Sequence, residues 1–365
     1  MLRIALDAMG GDRAPEVVVE GALEAAAEGI DIVLVGRRAE VEPLLKGGSD
    51  RVSVQDAPDV IGMEESPIKA LKAKPTSSIA EAVRLVRDRK ADAVVSAGNT
   101  GAFVAASIFA LRLLPGVKRP GVAVPFPSDN KAGICIVIDA GTNLACKPVH
   151  LLQYALMGSL YYEAVMGVEN PRVGLLNIGS ESTKGTELLR AAYSLLREAK
   201  IVNFVGNVEG HDLFCGTCEV VVCDGLVGNA ILKVAEGMGE GMLRWLSRAL
   251  KRYLNNGGDP KVKEAVFDEL NRVANYASYG GAPLLGVGGA VVICHGRSGA
   301  DAIKNACLVA KRLFEQQVNR RIIDGLTKMG FGWWRPSRWM EFLWRGREDE
   351  RTQEGEDSRD RRTRS

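Results

Sequence analysis

The sequence predicts an α/β protein in which helices cover both faces of a mostly parallel β-sheet. Two observations predict this fold class. At six places in the chain, a short apolar run of the kind found in strands ends in small polar residues and glycine, and a helical pattern follows. The apolar runs also lack polar alternation, which indicates strands that are buried on both faces.

The six strand-to-helix junctions follow one another along the chain, beginning at Arg3, Ala93, Ile134, Val173, Val220 and Ala290. Because ligands of parallel sheets bind outside the carboxyl ends of the strands, we expect all six loops to lie at one edge of the sheet. Their glycines let the backbone approach a ligand, and helix N-terminal amides favour an anion. The pattern therefore predicts an anion site. The alternative is that residues such as Pro15, Asn99 and Thr100 only begin or cap helices.

Composition argues against several classes of protein. The formal net charge of +2 is too small to indicate a nucleic-acid partner. The seven cysteines lie mostly within apolar runs, and the N-terminus lacks the pattern of a signal peptide, so we expect a cytoplasmic protein. The uncharged runs over 94–111 and 273–294 contain glycine and asparagine, which favours buried structure over membrane spans.

The common cofactor and nucleophile motifs are missing. Neither a dinucleotide-binding G-x-G-x-x-G after a strand nor a P-loop occurs, so a bound nucleotide is disfavoured. Cys215 and Cys218 form a C-x-x-C with no second pair or nearby histidine, which argues against zinc. No G-x-S-x-G motif is present, and we expect neither a cofactor nor a catalytic serine.

An amphipathic helical hairpin is predicted over about residues 238–279. In "GMLRWLSRALKRYLNN" one helical face carries Met242, Leu243, Trp245, Leu246, Ala249, Leu250, Tyr253 and Leu254, and the other carries Arg244, Arg248, Lys251 and Arg252. A second helix is expected from Asp259–Pro260 to about Tyr279. The broad apolar face predicts packing in the core or in a dimer. The alternative is a helix that lies on a membrane surface, with Trp245 at the interface.

The C-terminal segment 326–365 has a different composition. Four tryptophans lie among arginines, and the last 21 residues, 345–365, contain no apolar side chain other than glycine. We expect this charged end to be disordered. The tryptophan cluster is compatible with docking on the enzyme and with a bilayer surface.

Eight ordered motifs over residues 1–325 resemble one family. They are "IALDAMGGDRAP", "SAGNTGA", "GVKRPGVAVPFP", "LLNIGSESTKG", "NFVGNVEG", "VVVCDGLVGNAILK", "YGGAPLLGV" and "HGRS". The chain is thereby similar to the bacterial phosphate acyltransferases, acyl-[acyl-carrier-protein]:phosphate acyltransferases of the PlsX family. Two departures are conservative: Thr142 stands where the family usually has alanine, and Leu226 where it usually has phenylalanine.

The resemblance implies a Rossmann-like, three-layer α/β/α fold related to the isocitrate and isopropylmalate dehydrogenases. It further implies a homodimer that transfers a long acyl chain from acyl carrier protein to inorganic phosphate. The acyl phosphate would feed glycerolipid synthesis through a downstream glycerol-3-phosphate acyltransferase. The helical hairpin would lie at the dimer interface and touch the inner face of the cell membrane.

Within this resemblance, phosphate attacks the thioester directly, so the site needs positioning and charge stabilisation. Lys184 would stabilise the oxyanion or the departing thiolate, with Asn229 as a neutral donor beside it. The alternative for Lys184 is a solvated lysine in the first turn of a helix. The residues expected to bind substrate or phosphate are Asp7, Gly10, Gly11, Asp12, Asn99, Thr100, Asn143, Lys147, Asp224, Gly228 and His295. Asp7, Asp12, Asp139 and Asp224 are expected to orient lysines and loop amides.

Three other functions stay open at the level of sequence. The first is a phosphate acetyltransferase that uses an acyl-coenzyme A donor. The second is a metal-dependent hydroxyacid dehydrogenase, because relatives of that fold bind NAD without the glycine fingerprint. The third is an interaction module without catalytic activity, which would turn over no thioester.

Overall fold

The computed structural model describes residues 2–45, 47–256, 259, 261–262, 265–266 and 280–330. Within these residues, eleven strands form one β-sheet. They are β1 (Arg3–Asp7), β2 (Asp31–Gly36), β3 (Val52–Asp56), β4 (Ala93–Ser96), β5 (Gly121–Pro127), β6 (Ile134–Ile138), β7 (Arg172–Leu176), β8 (Asn203–Val208), β9 (Val220–Val222), β10 (Ala282–Leu285) and β11 (Ala290–Ile293).

All six predicted strands form, as β1, β4, β6, β7, β9 and β11. The strand sequences lack polar alternation because both faces of the strands are buried, as we expected: every residue of β4, β9 and β11 is buried. The sheet order is β3-β2-β1-β4-β11-β10-β5-β6-β9-β7-β8. The prediction of a mostly parallel sheet in an α/β fold is confirmed.

Helices cover both faces of the sheet, which gives the three layers. They are α1 (Glu16–Ala27), α2 (Arg38–Val41), α3 (Pro67–Ala73), α4 (Ser78–Arg87), α5 (Thr100–Leu111), α6 (Pro148–Met166), α7 (Glu187–Ala199), α8 (Gly225–Asn255), α9 (Ala300–Glu315) and α10 (Val318–Lys328). Side chains of α1, α6, α7, α9 and α10 form one apolar cluster with the sheet, and those of α3, α4, α5 and α8 form a second on the opposite face.

The strands run in two directions, and this divides the six loops. Strand β10 is antiparallel to both β11 and β5, and β5 is antiparallel to β6. It follows that β6 runs opposite to β11. Because β9, β7 and β8 are parallel to β6, and β1 and β4 are parallel to β11, the two groups of strands run in opposite directions. We call the carboxyl ends of β1, β4 and β11 the first edge, and those of β6, β7 and β9 the second edge. The expectation that all six loops lie at one edge is wrong.

The longest helix, α8, links the two edges. It begins at Gly225 beside the second edge and spans 31 residues, roughly 46 Å. Leu232 and Ala235 pack against the core, and further along Glu236 and Glu240 reach a cavity at the first edge. The helix starts before the predicted hairpin boundary at 238, because Asp224 caps it directly after β9.

Only part of the predicted apolar face of α8 is buried. Leu250 is buried, whereas Met242 and Trp245 are 58% and 59% exposed. The basic residues Arg244, Arg248, Lys251 and Arg252 are exposed as expected. The predicted second helix of the hairpin falls almost entirely outside the described residues, as does the tail after 330. Helix α10 continues to Lys328, past the expected end of the domain at 325. Among the helices that the structure describes, none has the length and apolarity needed to cross a membrane.

Candidate functional site

At the first edge, a buried aspartate joins the loops that follow β1 and β4. Asp7 Oδ2 accepts a hydrogen bond from Ser96 Oγ at 2.6 Å, and Asp7 Oδ1 accepts one from the backbone of Met9. Burial raises the pKa of the Asp7 carboxyl, and the hydrogen bond from Ser96 opposes that rise. A Cβ on Gly10 would lie 2.5 Å from both Asp7 Oδ2 and the backbone nitrogen of Gly98. Asp7 and Gly10 therefore fix the shape of these loops, and the buried carboxylate is not presented to a ligand.

The loop after β11 joins the same group. The backbone nitrogen of Asp12 donates to the carbonyl of Gly296 at 2.8 Å. Gly11 has φ +108°, a conformation that favours glycine, and a Cβ at this position would lie 3.1 Å from that carbonyl oxygen. The Asp12 side chain is left exposed. The structure thus brings the loops of β1, β4 and β11 together, as their shared strand direction requires.

Asn99 and Thr100 occupy different roles at the start of α5. Asn99 is 5% exposed, and its Oδ1 caps the helix by accepting from the backbone of Ala102. Its Nδ2 donates to the backbone carbonyls of Gly62, Met63 and Glu65. The amide nitrogen therefore makes its hydrogen bonds within the protein. The alternative that Asn99 caps a helix agrees with this geometry. Thr100 is exposed and remains a predicted ligand contact.

A cavity of about 210 Å³ opens beside His295 at the first edge. Apolar walls come from Val124, Pro125, Ala282, Ile293 and Ala302, and polar ones from Glu236, Glu240, His295, Arg297 and Ser298. His295 Nδ1 accepts from the backbone nitrogen of Arg297 at 3.1 Å. The Arg297 guanidinium donates across the cavity mouth to Glu240 Oε1 at 2.9 Å. Sequence analysis missed Arg297, although it lies in the quoted "HGRS" motif.

At the second edge, Asp139 orders the loop that follows β6. This buried carboxylate accepts from the backbone nitrogens of Val122, Thr142 and Asn143, and also from Asn143 Nδ2. Burial raises the pKa of the Asp139 carboxyl, and the hydrogen bonds, first that of Asn143, oppose the rise. Asn143 Nδ2 also donates to the carbonyl of Pro120 at 2.6 Å. Asn143 is buried and holds the loop in place, and its predicted contact with substrate or phosphate stays a prediction.

The start of α8 lies directly on this loop. A Cβ on Gly225 would lie 2.7 Å from the carbonyl oxygen of Asn143, and one on Gly228 only 2.0 Å from that of Asp139. The Gly228 amide donates to the carbonyl of Asp224 at 2.9 Å, and the predicted contact of Gly228 with phosphate stays a prediction. Asp224 Oδ1 accepts from the backbone nitrogens of Leu226 and Val227, which caps α8.

Two predicted catalytic residues follow neighbouring strands at the second edge. Asn229 is exposed in the first turns of α8, and its Oδ1 lies 3.5 Å from the Cβ position of Gly141. Lys184 lies in the loop after β7, the strand next to β9. Asn177 Nδ2 donates to the Lys184 carbonyl at 3.1 Å, which holds this loop on the end of β7. The loop therefore has a fixed backbone, and its lysine reaches solvent.

The Lys184 side chain makes only a long ion pair, with Glu181. Its Nζ lies 4.0 Å from Glu181 Oε1, beyond hydrogen-bond distance, and the side chain is 49% exposed. Lys184 precedes Thr186, the residue that caps α7, so it is not in the first helical turn. The placement of Lys184 in a first helical turn is therefore wrong, and the alternative of a solvated lysine stays open.

Further cations lie at the same edge. Lys147 is exposed at the start of α6, where its backbone nitrogen donates to His150 Nδ1. Burial lowers the pKa of His150, and the charges of Arg119 and Lys147 lower it further. Arg119, which sequence analysis did not single out, therefore also belongs to this edge. In the sequence, Arg119 lies within the quoted "GVKRPG" motif, which could have drawn attention to it.

The thiols near the second edge are not arranged as nucleophiles. Burial raises the pKa of Cys146, and burial raises that of Cys223 well above its ordinary value. Both sulfurs are therefore protonated near neutral pH. The groups that a ligand could reach at this edge include cations and a neutral amide, which suit an anion and a developing oxyanion.

Comparison with known proteins shows the family of the chain. The profile of a family described as "Fatty acid synthesis protein" matches residues 2–321. The chain is 49% identical over 329 residues to a phosphate acyltransferase from Desulforamulus reducens, covering 89% of this chain and 98% of that protein. It is 48% identical over 320 residues to one from Heliobacterium modesticaldum, covering 86% and 95%.

Solved structures are similar in fold. A phosphotransacetylase from Streptococcus pyogenes superposes with a TM-score of 0.58 at 17% identity, covering 86% of this chain and 94% of that one. A 4-hydroxythreonine-4-phosphate dehydrogenase from Klebsiella pneumoniae gives 0.51 at 14% identity, covering 85% and 99%. These likenesses confirm the Rossmann-like fold class.

Proposed function

The chain belongs to the fatty acid synthesis protein family and is similar to phosphate acyltransferases, and on that premise we propose that it transfers a long-chain fatty acyl group from acyl carrier protein to inorganic phosphate. The chain is thus an acyltransferase. The observation that supports this reaction best is the second edge, where Lys147, Lys184 and Asn229 are exposed after neighbouring strands and the buried Asp139 orders the loop after β6.

The reaction needs no protein nucleophile. A phosphate oxygen attacks the thioester carbonyl carbon, a C–O bond forms, and the C–S bond then breaks as the pantetheine thiolate departs and takes a proton from solvent. Lys184 stabilises the tetrahedral oxyanion by charge, and Asn229 donates a hydrogen bond beside it. Lys147 and Arg119 raise the local concentration of phosphate by attraction.

The function is tested by supplying phosphate with two donors and no added metal. Purified protein is incubated with long-chain acyl-acyl carrier protein or with acetyl-coenzyme A, and acyl phosphate is trapped by hydroxylamine. We expect product with the carrier-protein donor and little with acetyl-coenzyme A. Equal or faster turnover of acetyl-coenzyme A would favour the phosphate acetyltransferase alternative. No phosphate-dependent product with either donor would refute the proposal.

We further propose that the enzyme is a cytoplasmic homodimer that delivers acyl phosphate at the inner face of the membrane, to a glycerol-3-phosphate acyltransferase. The exposed Met242 and Trp245 on α8 lie next to Arg244 and Arg248. An apolar stripe flanked by cations is typical of helices that lie on anionic bilayers.

The membrane proposal predicts a loss of vesicle binding. Changing Met242 and Trp245 together to aspartate lowers binding to anionic vesicles at least tenfold, since each buried apolar side chain contributes about 1.5–3 kcal/mol. Vesicle cosedimentation measures the bound fraction. Phe109→Asp is the matched control, because Phe109 is 60% exposed on a different helix. Unchanged binding by the α8 variant, or its dissociation into monomers before lipid is added, would refute the role.

A further inference from the structure

The loop that carries Lys184 folds back on its own beginning. The backbone nitrogen of Lys184 donates to the carbonyl of Glu181 at 3.1 Å, which closes a turn over residues 181–184. A Cβ on Gly179 would lie 3.3 Å from Lys184 Cγ and 3.7 Å from its Cδ, so the aliphatic part of the lysine passes close to Gly179. Gly179 is itself buried. The direction of the Lys184 ammonium therefore depends on where the backbone of this turn is held.

Two buried asparagines hold the turn, one from each of two paired strands. Asn177, directly after β7, donates from Nδ2 to the Lys184 carbonyl at 3.1 Å. Asn207, in the parallel neighbour β8, donates from Nδ2 to the Glu181 carbonyl at 2.8 Å. The two asparagines are 9% and 8% exposed. The Glu181 carbonyl thus accepts two hydrogen bonds, one from the Lys184 backbone and one from the Asn207 side chain.

The stability of β8 does not explain the amide of Asn207. Its Oδ1 is buried and accepts no hydrogen bond from any residue that the structure describes. A buried acceptor without a partner is unfavourable, and an aliphatic side chain, which suits a buried strand position, would avoid that cost. An aliphatic side chain could not donate to the Glu181 carbonyl. What Asn207 supplies is therefore the hydrogen bond that holds the turn before Lys184.

The position of Lys184 matters because the stabilisation of an oxyanion depends on geometry. A donor is effective only within hydrogen-bond distance of the atom on which the charge develops. A displacement of about 1 Å can lower the rate about 100-fold. The Lys184 side chain is 49% exposed and its ion pair with Glu181 is long, at 4.0 Å, so this pair does not hold the ammonium in place. The backbone of the turn sets the point from which the lysine reaches.

From these contacts we propose that Asn207 is a positioning residue for the reaction: its hydrogen bond to the Glu181 carbonyl places Lys184 where the ammonium meets the tetrahedral oxyanion. Asn207 is buried and acts through the turn, without touching the substrate. Asn177 fixes the other side of the same turn, at the Lys184 carbonyl. This inference rests on the proposed acyl transfer and on the role of Lys184 in it.

A double-mutant cycle with Lys184 tests the inference. Asn207→Ala and Lys184→Ala are made singly and together, and acyl phosphate formation is measured with enough enzyme to follow the slowest variant. Asn207→Ala alone should lower kcat about 10- to 100-fold and leave KM for phosphate within about twofold, because it displaces a group that acts in the transition state. In the Lys184→Ala background it should change kcat by less than about twofold, because no ammonium is left to position.

A matched control lies in the same strand. Asn203, at the start of β8, also donates from Nδ2 to a loop carbonyl, that of Asn170, at 3.1 Å. Asn203→Ala removes the same kind of hydrogen bond at the end of the strand away from Lys184, and we expect it to retain wild-type kcat. If Asn207→Ala is not recovered as folded protein, Asn207→Val replaces it, because valine suits a strand.

The possible results separate positioning from structure. The same fold loss from the Asn207 variant in both backgrounds, or an equal loss from Asn203→Ala, would show that the asparagine only supports the fold and would overturn the inference. Wild-type kcat of the Asn207 variant would overturn it as well. Full turnover by Lys184→Ala would refute the role of the lysine, and this inference with it, while acyl transfer stands. An inactive wild-type enzyme would instead refute the proposed function.

Discussion

We expect Lys184→Ala to lower turnover of acyl-acyl carrier protein about 100- to 1000-fold, the usual effect of removing one fixed donor from an oxyanion site. The Lys184 loop is held by Asn177 and Glu181, both through the backbone of Lys184, so removal of the side chain leaves the loop intact. The exposed ammonium makes no hydrogen bond to Glu181 at 4.0 Å. The melting temperature should therefore be unchanged. Steady-state kinetics at saturating phosphate and donor measure the effect.

Two further variants separate catalysis from structure. Asn229→Ala should lose turnover in the same range, because Asn229 follows the neighbouring strand β9 at the same edge. Lys200→Asn is the matched control, since Lys200 is exposed at the far end of α7 and its φ of +50° suits asparagine. We expect this control to retain wild-type turnover. Near-full activity of Lys184→Ala would show that the lysine is only a solvated loop residue.

Gly228→Ala should destabilise the protein and lower its activity together. The new methyl group would lie 2.0 Å from the carbonyl oxygen of Asp139 and 2.9 Å from Cys223 Sγ, so the start of α8 must move away from the loop after β6. Overpacking of this kind costs about 1–3 kcal/mol. The movement also displaces Asn229, the next residue along the helix. Denaturant unfolding and turnover measure the two effects.

A second glycine-to-alanine change in α8 serves as a control, because it is expected to raise the stability of the protein. A Cβ on Gly237 would meet nothing within 4 Å, and its backbone is helical. Gly237→Ala should therefore raise the free energy of unfolding by about 0.5–1 kcal/mol, because alanine favours a helix more than glycine does. If Gly228→Ala were as stable as wild type, the close packing of α8 on Asp139 would not be a feature of the folded protein.

The strands were predictable because their signal is local. Each of the six predicted strands is a short, mostly buried apolar run, and the loops or helix starts after them carry the glycines that close packing requires, as at Gly10 and Gly228. The relative direction of the strands was not predictable from these runs. It depends on β5 and β10, whose antiparallel pairing leaves no strand-loop-helix pattern in the sequence. For that reason the six loops, which we expected at one edge of the sheet, lie at two opposite edges.

The reachable and the buried site residues look alike in sequence. Asn99 and Asn229 both follow a glycine-rich loop, yet Asn99 is 5% exposed with its amide bonded to three carbonyls, and Asn229 reaches solvent. The difference comes from segment 62–65, which is distant in the chain and covers Asn99. Arg119 and Arg297 were missed because an arginine in a loop has no distinctive spacing, and only the fold brings each one to an edge.

The central claim is that phosphate itself accepts the acyl group from the thioester. The most direct measurement follows the free thiol of acyl carrier protein and the acyl phosphate in the same reaction, using palmitoyl-acyl carrier protein at a series of phosphate concentrations. We predict that thiol and acyl phosphate appear in a ratio of about one, because each C–S bond that breaks is matched by one new C–O bond to phosphate, and that neither appears without phosphate. Enzyme-dependent thiol release that continues undiminished in the absence of phosphate would contradict the account.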